Sequence, residues 1–165
     1  MANHVHLVMV PSCEKALAAA VGEAHRRYTW MKNRAEGVRG YLFQGRFSSC
    51  VLDERHLVAA ARYAELNPVR AGVARTAAEW PWSSARFHLG TREEDPLVTD
   101  SSLLGLVGDW RELLAGEDET AERGLCRATR AGRPAGDRRF VVRVERLTGR
   151  NLRPRPRGRP REKNP

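Results

Sequence analysis

Apolar and polar residues alternate at the start of the chain. An alternation with period two is typical of a β-strand with one buried face, and it predicts a strand over residues 4–10 that ends before Pro11. His4 and His6 fall on one face of this strand. The opposite face carries Val5, Leu7 and Met9. A second extended segment is predicted for residues 41–52, after a turn at 36–40, from its bulky positions Phe43, Phe47 and Val51.

Two segments of this first half have the apolar spacing of helices instead. Residues 13–34 follow Ser12, which is a residue type that caps helix starts. Asp53 is expected to cap a second helix, which should end at Asn67 because the residue before Pro68 is pushed out of the helical region.

The rest of the chain is predicted to be helical and loop-rich. The motif WPWSSA (80–85) is expected to form a loop with two aromatic anchors that leads into a short helix. Asp137 is a further capping residue, for a helix that extends through Leu147. Short helices are predicted at about 102–115 and 118–129.

These elements predict an α+β protein with three parts. A catalytic domain is expected over residues 1–90, a helical region over 91–149 and a basic tail, expected to be disordered, over 150–165. The stretch TREEDP (91–96) is the expected boundary between the first two parts.

The charge is concentrated at one end. The net charge of +9 divides into −1 for residues 1–129 (sixteen basic, seventeen acidic) and +10 for residues 130–165 (thirteen basic, three acidic). A terminal polycation without an apolar face favours a nucleic acid over a membrane as partner. A tail that only increases solubility is the alternative interpretation.

Several function classes are not supported. No run of eighteen apolar residues is present, and no Walker loop predicts nucleotide binding. The three cysteines, Cys13, Cys50 and Cys126, form no CxxC pair, so reduced thiols in a cytoplasmic protein are expected.

The two histidines of the predicted strand have the spacing of a metal-binding pair. Side chains two residues apart on a strand leave the same face with their Cβ atoms about 6–7 Å apart. Both imidazoles of His4 and His6 could then reach one divalent cation. Histidines also occur at this spacing by chance.

Tyr63 and Asn67 lie four residues apart on one predicted helix and therefore share a face. A tyrosine hydroxyl is a poor nucleophile at neutral pH, but a metal beside it can polarise the phosphate that it attacks. The amide of Asn67 is a plausible third metal ligand. A half-buried structural tyrosine and a helix-terminal asparagine are the alternative.

Together these segments resemble a known family. MANHVHLVMVP, YLFQGRFSSCVLDERHLVAAARYAELNPVRAGV and WPWSSA are similar to the motifs of the HUH-type single-tyrosine transposases, in the branch of REP-associated tyrosine transposases. The stretch from Thr129 to Glu162 is similar to the end of the same proteins. The resemblance covers most of the chain.

This resemblance implies a fold and an activity. It implies a ferredoxin-like antiparallel sheet with helices on one face, and an enzyme that nicks and rejoins single-stranded DNA beside a hairpin during DNA transposition. His4, His6 and Asn67 would bind Mg²⁺ or Mn²⁺, and Tyr63 would form a 5′-phosphotyrosine link. Both imidazoles should therefore face the helix that carries Tyr63.

The start of the chain departs from that family. There a strand and a helix precede the histidine strand, whereas here the chain begins at the Met of the motif. We therefore expect an incomplete sheet with one exposed hydrogen-bonding edge. No small-molecule cofactor is expected, and the protein is expected to be a bacterial, cytoplasmic, nucleoid-associated monomer or homodimer.

Two basic segments are candidates for DNA contact. The helix after Asp137 could lie along the backbone of a DNA hairpin, and the R-G-R-P sequence of the tail could enter a narrow minor groove or contact phosphates. The arginines concerned are Arg138, Arg139, Arg143, Arg146, Arg150, Arg157 and Arg159. A decayed transposase that only holds hairpin DNA and an RNA-binding protein are the alternative functions.

Overall fold

The computed structural model describes residues 3–98 and 102–153, and helices are its main elements. A 3₁₀ turn at Ala77–Glu79 lies between the second and third of them. The α-helices of these residues are α1 (Ala16–Glu36), α2 (Glu54–Arg70), α3 (Ala85–His88), α4 (Ser102–Gly105), α5 (Trp110–Ala115), α6 (Glu119–Ala131) and α7 (Arg138–Thr148).

The predicted α+β fold is wrong: residues 3–98 and 102–153 contain no β-sheet. Their one β-type contact is an isolated parallel bridge between Leu52 and Ala135. Residues 4–10 form no strand, although their sequence alternates, and the side chains of Val5 and Val10 are exposed. An alternating segment becomes a strand only when a second backbone satisfies its N–H and C=O groups. Neither 4–10 nor 41–52 finds one along its length.

Two predicted helix ends are also wrong. Helix α1 begins at Ala16 after Lys15, which makes no side-chain cap, so Ser12 is not its cap. Helix α2 does not end at Asn67 but continues through Pro68 to Arg70. Pro68 is buried against the core, and this packing offsets the hydrogen bond that a proline cannot donate.

The other helical predictions are confirmed. Asp53 caps α2 by accepting a hydrogen bond from the His56 backbone N–H, and Asp137 caps α7 through the Phe140 N–H. WPWSSA forms a loop before α3, but its second aromatic residue is no anchor, since Trp82 is 85% exposed.

The core forms around α2. This helix packs against α5, the 3₁₀ turn and, most extensively, α6. It therefore contacts elements on both sides of the boundary that was predicted at 91–96. The division into 1–90, 91–149 and 150–165 itself stays a prediction. The buried apolar residues of the described ranges are Ala59, Ala61, Pro68, Ala77, Ala85, Trp110, Ala121, Leu125 and Ala135.

A buried carboxylate fixes the rotation of α2. Glu65 is 3% exposed and accepts hydrogen bonds from Ser84 Oγ (2.8 Å), His88 Nδ1 (2.5 Å) and Trp110 Nε1 (2.7 Å). A buried carboxylate is tolerated only when donors satisfy its oxygens, and here three donors do so. Because Glu65 faces the core, Tyr63, two residues earlier, lies toward the other side of the helix.

The N-terminal region packs far less tightly. Helix α1 has no buried residue, and its contact with the following loop includes a stacked pair of rings, His25 on Phe43, with centroids 3.8 Å apart. Large apolar side chains of this region remain exposed: Tyr28, Trp30, Met31, Val38, Tyr41, Leu42, Phe43, Phe47 and Val51.

Within the described ranges, every helix is too short or too polar to cross a bilayer.

Candidate functional site

The candidate site is built on one face of α2. Tyr63, Asn67 and Arg70 follow one another at spacings of four and three residues, which places them on successive turns of the same face. Tyr63 and Asn67 are half-buried and Arg70 is exposed. This face is therefore open to a ligand while the opposite face holds Glu65 in the core.

One of the two histidines, His6, lies against this face next to Tyr63, and His4 packs on the outer side of His6. The ring of His6 meets the Tyr63 ring edge to face, with centroids 5.4 Å apart. The His4 ring packs edge to face on His6 at a centroid distance of 5.0 Å. The fold therefore brings three sequence-predicted residues together although residues 4–10 form no strand.

The surroundings of the two imidazoles lower the pKa of His6 and give His4 a hydrogen-bond partner. Burial lowers the pKa of His6, and the neighbouring His4 lowers it further. His6 is therefore held in the neutral form, which is the form that ligates metals. His4 Nδ1 lies 2.7 Å from the Asn3 side-chain oxygen, and an amide oxygen only accepts hydrogen bonds. This contact favours the tautomer with the proton on Nδ1 and leaves Nε2 with its lone pair.

The donor types at this face fit a divalent cation, with Mn²⁺ favoured over Mg²⁺. Imidazole nitrogens suit transition metals, whereas Mg²⁺ prefers oxygen ligands alone. Asn67 offers an amide oxygen one helical turn from Tyr63, but no hydrogen bond within the described ranges joins its side chain to either histidine. No cluster of three or more His, Cys, Asp or Glu side chains able to hold a metal occurs in residues 3–98 and 102–153.

Arg70 is a further candidate residue of this face, which the sequence motifs did not single out. Its guanidinium carbon lies 5.4 Å from the centroid of the Tyr63 ring, within the range of a cation–π contact. Its Nη2 also donates to both carboxylate oxygens of Glu122, each at 2.8 Å. The signal was present in the sequence: Arg70 follows Tyr63 by seven residues, which is two helical turns.

Helix α6 holds this arginine in place. Glu122, on α6, accepts hydrogen bonds from both Arg62 and Arg70 of α2. Arg62 is 6% exposed and also donates to the backbone oxygens of Leu113 and Gly116. A buried arginine with its donors satisfied couples the position of α2 to that of α5 and α6.

The predicted DNA-binding arginines of α7 project into solvent. Arg138, Arg139, Arg143 and Arg146 are exposed, and none has a carboxylate partner in the described part of the chain. Arg150, just after the helix, is exposed as well. Arg157 and Arg159 lie outside the described residues.

Comparison with known proteins identifies no relative: no family model, no curated protein and no solved structure matches this chain.

Proposed function

We propose that this protein is a metal-dependent nuclease and strand transferase of the single-tyrosine transposase type, acting on single-stranded DNA that carries a hairpin. One observation carries the proposal. His6, 57 residues before Tyr63 along the chain, packs its ring against the Tyr63 ring, and the His4 ring packs on His6. A core role for this cluster is not favoured, because both histidines are exposed overall and Tyr63 is only half-buried.

The residues divide the reaction between them. Tyr63 Oη attacks the phosphorus of a DNA phosphodiester. The tyrosine hydroxyl gives up its proton as the new P–O bond forms. The bond from phosphorus to the 3′ oxygen breaks, that oxygen takes up a proton, and a 5′-phosphotyrosine forms. Attack by a 3′-hydroxyl on this link reverses the step and joins a strand. Because the phosphoester bond is exchanged and not lost, no nucleoside triphosphate is required.

The surrounding groups orient the tyrosine and neutralise charge. His4, His6 and Asn67 would hold Mn²⁺ or Mg²⁺, which supplies Lewis acidity toward the phosphate oxygens when bound. Arg70 places a second positive charge beside the Tyr63 ring, close to the phosphate that Tyr63 would attack and whose negative charge must be stabilised in the transition state. Glu122 fixes the direction of that arginine.

A covalent adduct is the direct test. The protein is incubated with Mn²⁺ and a 5′-hairpin oligonucleotide labelled at its 3′ end, and the products are separated on a denaturing gel. We expect a labelled protein band for the wild type. Tyr63→Phe keeps the ring and should give none. Tyr41→Phe, a matched control at an exposed position, should behave as the wild type.

A protein that binds DNA hairpins without cleaving them is the second candidate. Two observations on the N-terminal region favour it. Within the described residues no sheet supports the histidine segment, and large side chains such as Trp30 and Tyr41 are exposed. Tight hairpin binding without any adduct, in both Mn²⁺ and Mg²⁺, would select this function over the nuclease.

A further inference from the structure

A groove of about 700 Å³ lies between α6 and α7, and none of its lining residues belongs to the Tyr63 site. Its walls come from the last turns of α6, the turn at residues 132–137 and the first turns of α7. Arginines line it: Arg127, Arg133, Arg138 and Arg153. No acidic side chain is among its lining residues.

The floor of this groove is aliphatic. Ala128, Pro134, Val141, Val142 and Leu152 supply apolar surface between the arginines. An apolar floor with a cationic rim selects a ligand that has both a flat or apolar part and a negative charge. A free inorganic anion would use only the rim.

The arginines are available to a ligand. Arg127, Arg133 and Arg138 have no carboxylate partner within residues 3–98 and 102–153. Only Arg153 is paired, with Glu145 at 3.2 Å. Glu145 also accepts a hydrogen bond from the Leu152 backbone N–H at 2.9 Å, and these two contacts fold the chain after α7 back over the end of the groove.

The groove is fixed to the rest of the protein by its turn. Ala135 exchanges backbone hydrogen bonds with the segment before α2, donating to Val51 and accepting from Asp53. Cys50 Sγ donates to the Arg133 backbone oxygen at 3.1 Å. Gly136 packs so closely on the Phe140 ring that an added Cβ would lie 2.1 Å from its Cδ1. The turn is therefore held at both ends before any ligand arrives.

We infer that the groove between α6 and α7 binds an unpaired nucleotide of single-stranded DNA. The base would lie on the aliphatic floor and the flanking phosphates would pair with Arg127, Arg133 and Arg138. Arginine planes can also stack on a base. The choice of DNA over RNA rests on the proposed function; the recognition of a nucleotide rests on the groove alone.

Charge argues against the chain's own tail as the occupant. The chain's own tail begins at the groove, but residues 154–165 carry five Lys/Arg and one Glu, and a polycation is repelled by an arginine rim.

Binding is measured by fluorescence anisotropy with labelled dT12 and no divalent metal, in the Tyr63→Phe background, so that chemistry plays no part. The double variant Arg133→Ala/Arg138→Ala should bind at least about tenfold more weakly. The matched control is Arg111→Ala/Arg130→Ala, which removes the same charge from exposed positions outside the groove and should lose less than threefold. Thermal unfolding of all three proteins checks that the fold is kept.

The nucleotide base is tested with a second ligand. A twelve-unit oligomer of abasic sugar phosphates keeps the charge and removes the bases, and wild-type affinity for it should be at least about tenfold lower than for dT12. Equal affinity for both oligomers would show a phosphate site only and overturn the inference. Equal losses of dT12 affinity in the two double variants would also overturn it. Tighter binding of rU12 than of dT12 would reassign the groove to RNA. If the wild-type protein formed no covalent adduct but the anisotropy results for the groove were as expected, the proposed function alone would be refuted.

Discussion

At the scale of single residues, the environment of Tyr63 is set by two side chains of unlike chemistry. His6 meets the ring edge to face, and Arg70 lies over it as a cation. The contact with Arg70 follows from the spacing along α2, and the contact with His6 follows from the approach of the N-terminal segment to this helix. They make separable predictions, because one residue is proposed to act through a metal and the other directly through its charge.

Substitution of His6 should impair the reaction through the metal. We expect His6→Ala to reduce the rate of adduct formation by about 100-fold at low Mn²⁺ and to recover part of it when Mn²⁺ is raised, since a lost ligand weakens but does not abolish metal binding. Tyr63→Phe should not respond to Mn²⁺ at all. The matched control is His25→Ala, a histidine stacked on Phe43 away from the site. Equal Mn²⁺ dependence of His6→Ala and wild type would contradict the metal assignment.

Substitution of Arg70 should lower the rate without changing the metal requirement. Arg70→Ala removes a positive charge from the developing transition state, and a loss of about 10- to 100-fold in adduct formation is expected. Arg70→Lys keeps the charge and should therefore retain part of the activity. The activity should stay below that of the wild type because a lysine cannot make the paired contact with Glu122. Arg75→Ala, at a largely exposed arginine that pairs with Glu79, is the control. An unaffected rate in Arg70→Ala, measured on folded protein, would exclude the role.

At the scale of elements, one aspartate joins two helices. Asp53 caps α2 through the His56 backbone N–H and contacts the His56 ring at 2.6 Å. Its other oxygen accepts from the Asp137 backbone N–H at 3.0 Å, at the start of α7. Burial pushes the pKa of Asp53 upward, but these hydrogen bonds outweigh burial and hold the pKa below its usual range. The sequence predicted the first cap and could not predict the second contact, which joins residues 84 positions apart.

Loss of this aspartate should destabilise the protein in a pH-dependent way. Asp53→Ala is expected to lower the free energy of unfolding by about 2 kcal/mol at pH 7, as two helix starts lose an acceptor. Because the folded pKa is lowered, this stabilisation is present above the unfolded pKa of about 4 and is lost as the pH falls through the folded value. Urea unfolding of both proteins from pH 3 to 7 should show the difference shrinking toward acid. Glu54→Ala, at the exposed next position, should change little, and a constant difference across the range would refute the coupling.

At the scale of the whole molecule, basic and neutral parts are arranged in sequence. The core around α2 lies mainly in the nearly neutral part of the chain. The arginines of α7 and the groove precede residues 154–165, which carry five further cations. This arrangement predicts that deleting the basic C-terminal residues lowers the affinity for DNA without lowering the stability of the core.

Removal of residues 154–165 should weaken DNA binding and leave the thermal stability almost unchanged. Each phosphate contact that the tail makes should lower the slope of log K against log salt by about 0.7 to 0.9. Anisotropy titrations at several salt concentrations measure the slope, and circular dichroism measures the stability. An unchanged slope would identify the tail as a device for solubility alone.

The sequence by itself determined the local features of this protein. Capping at Asp53 and Asp137, the turn after α1 and the helices of the C-terminal half follow from residues within a few positions of each other, so their signals are contained in short segments. The shared face of Tyr63 and Asn67 is local for the same reason, and Arg70 could have been added by extending the spacing one more turn.

Only the tertiary structure decided what depends on distant partners. The alternation of residues 4–10 predicts a strand, yet no second segment in the described part of the chain pairs with it. Strand formation is decided by the pairing partner and not by the pattern alone. Helix α2 runs through Pro68 because the buried side of that helix overrides the local preference. Trp110, which no motif singled out, is the buried tryptophan of the core, whereas Trp82 of the conspicuous WPWSSA motif is exposed, because burial depends on what packs around a side chain.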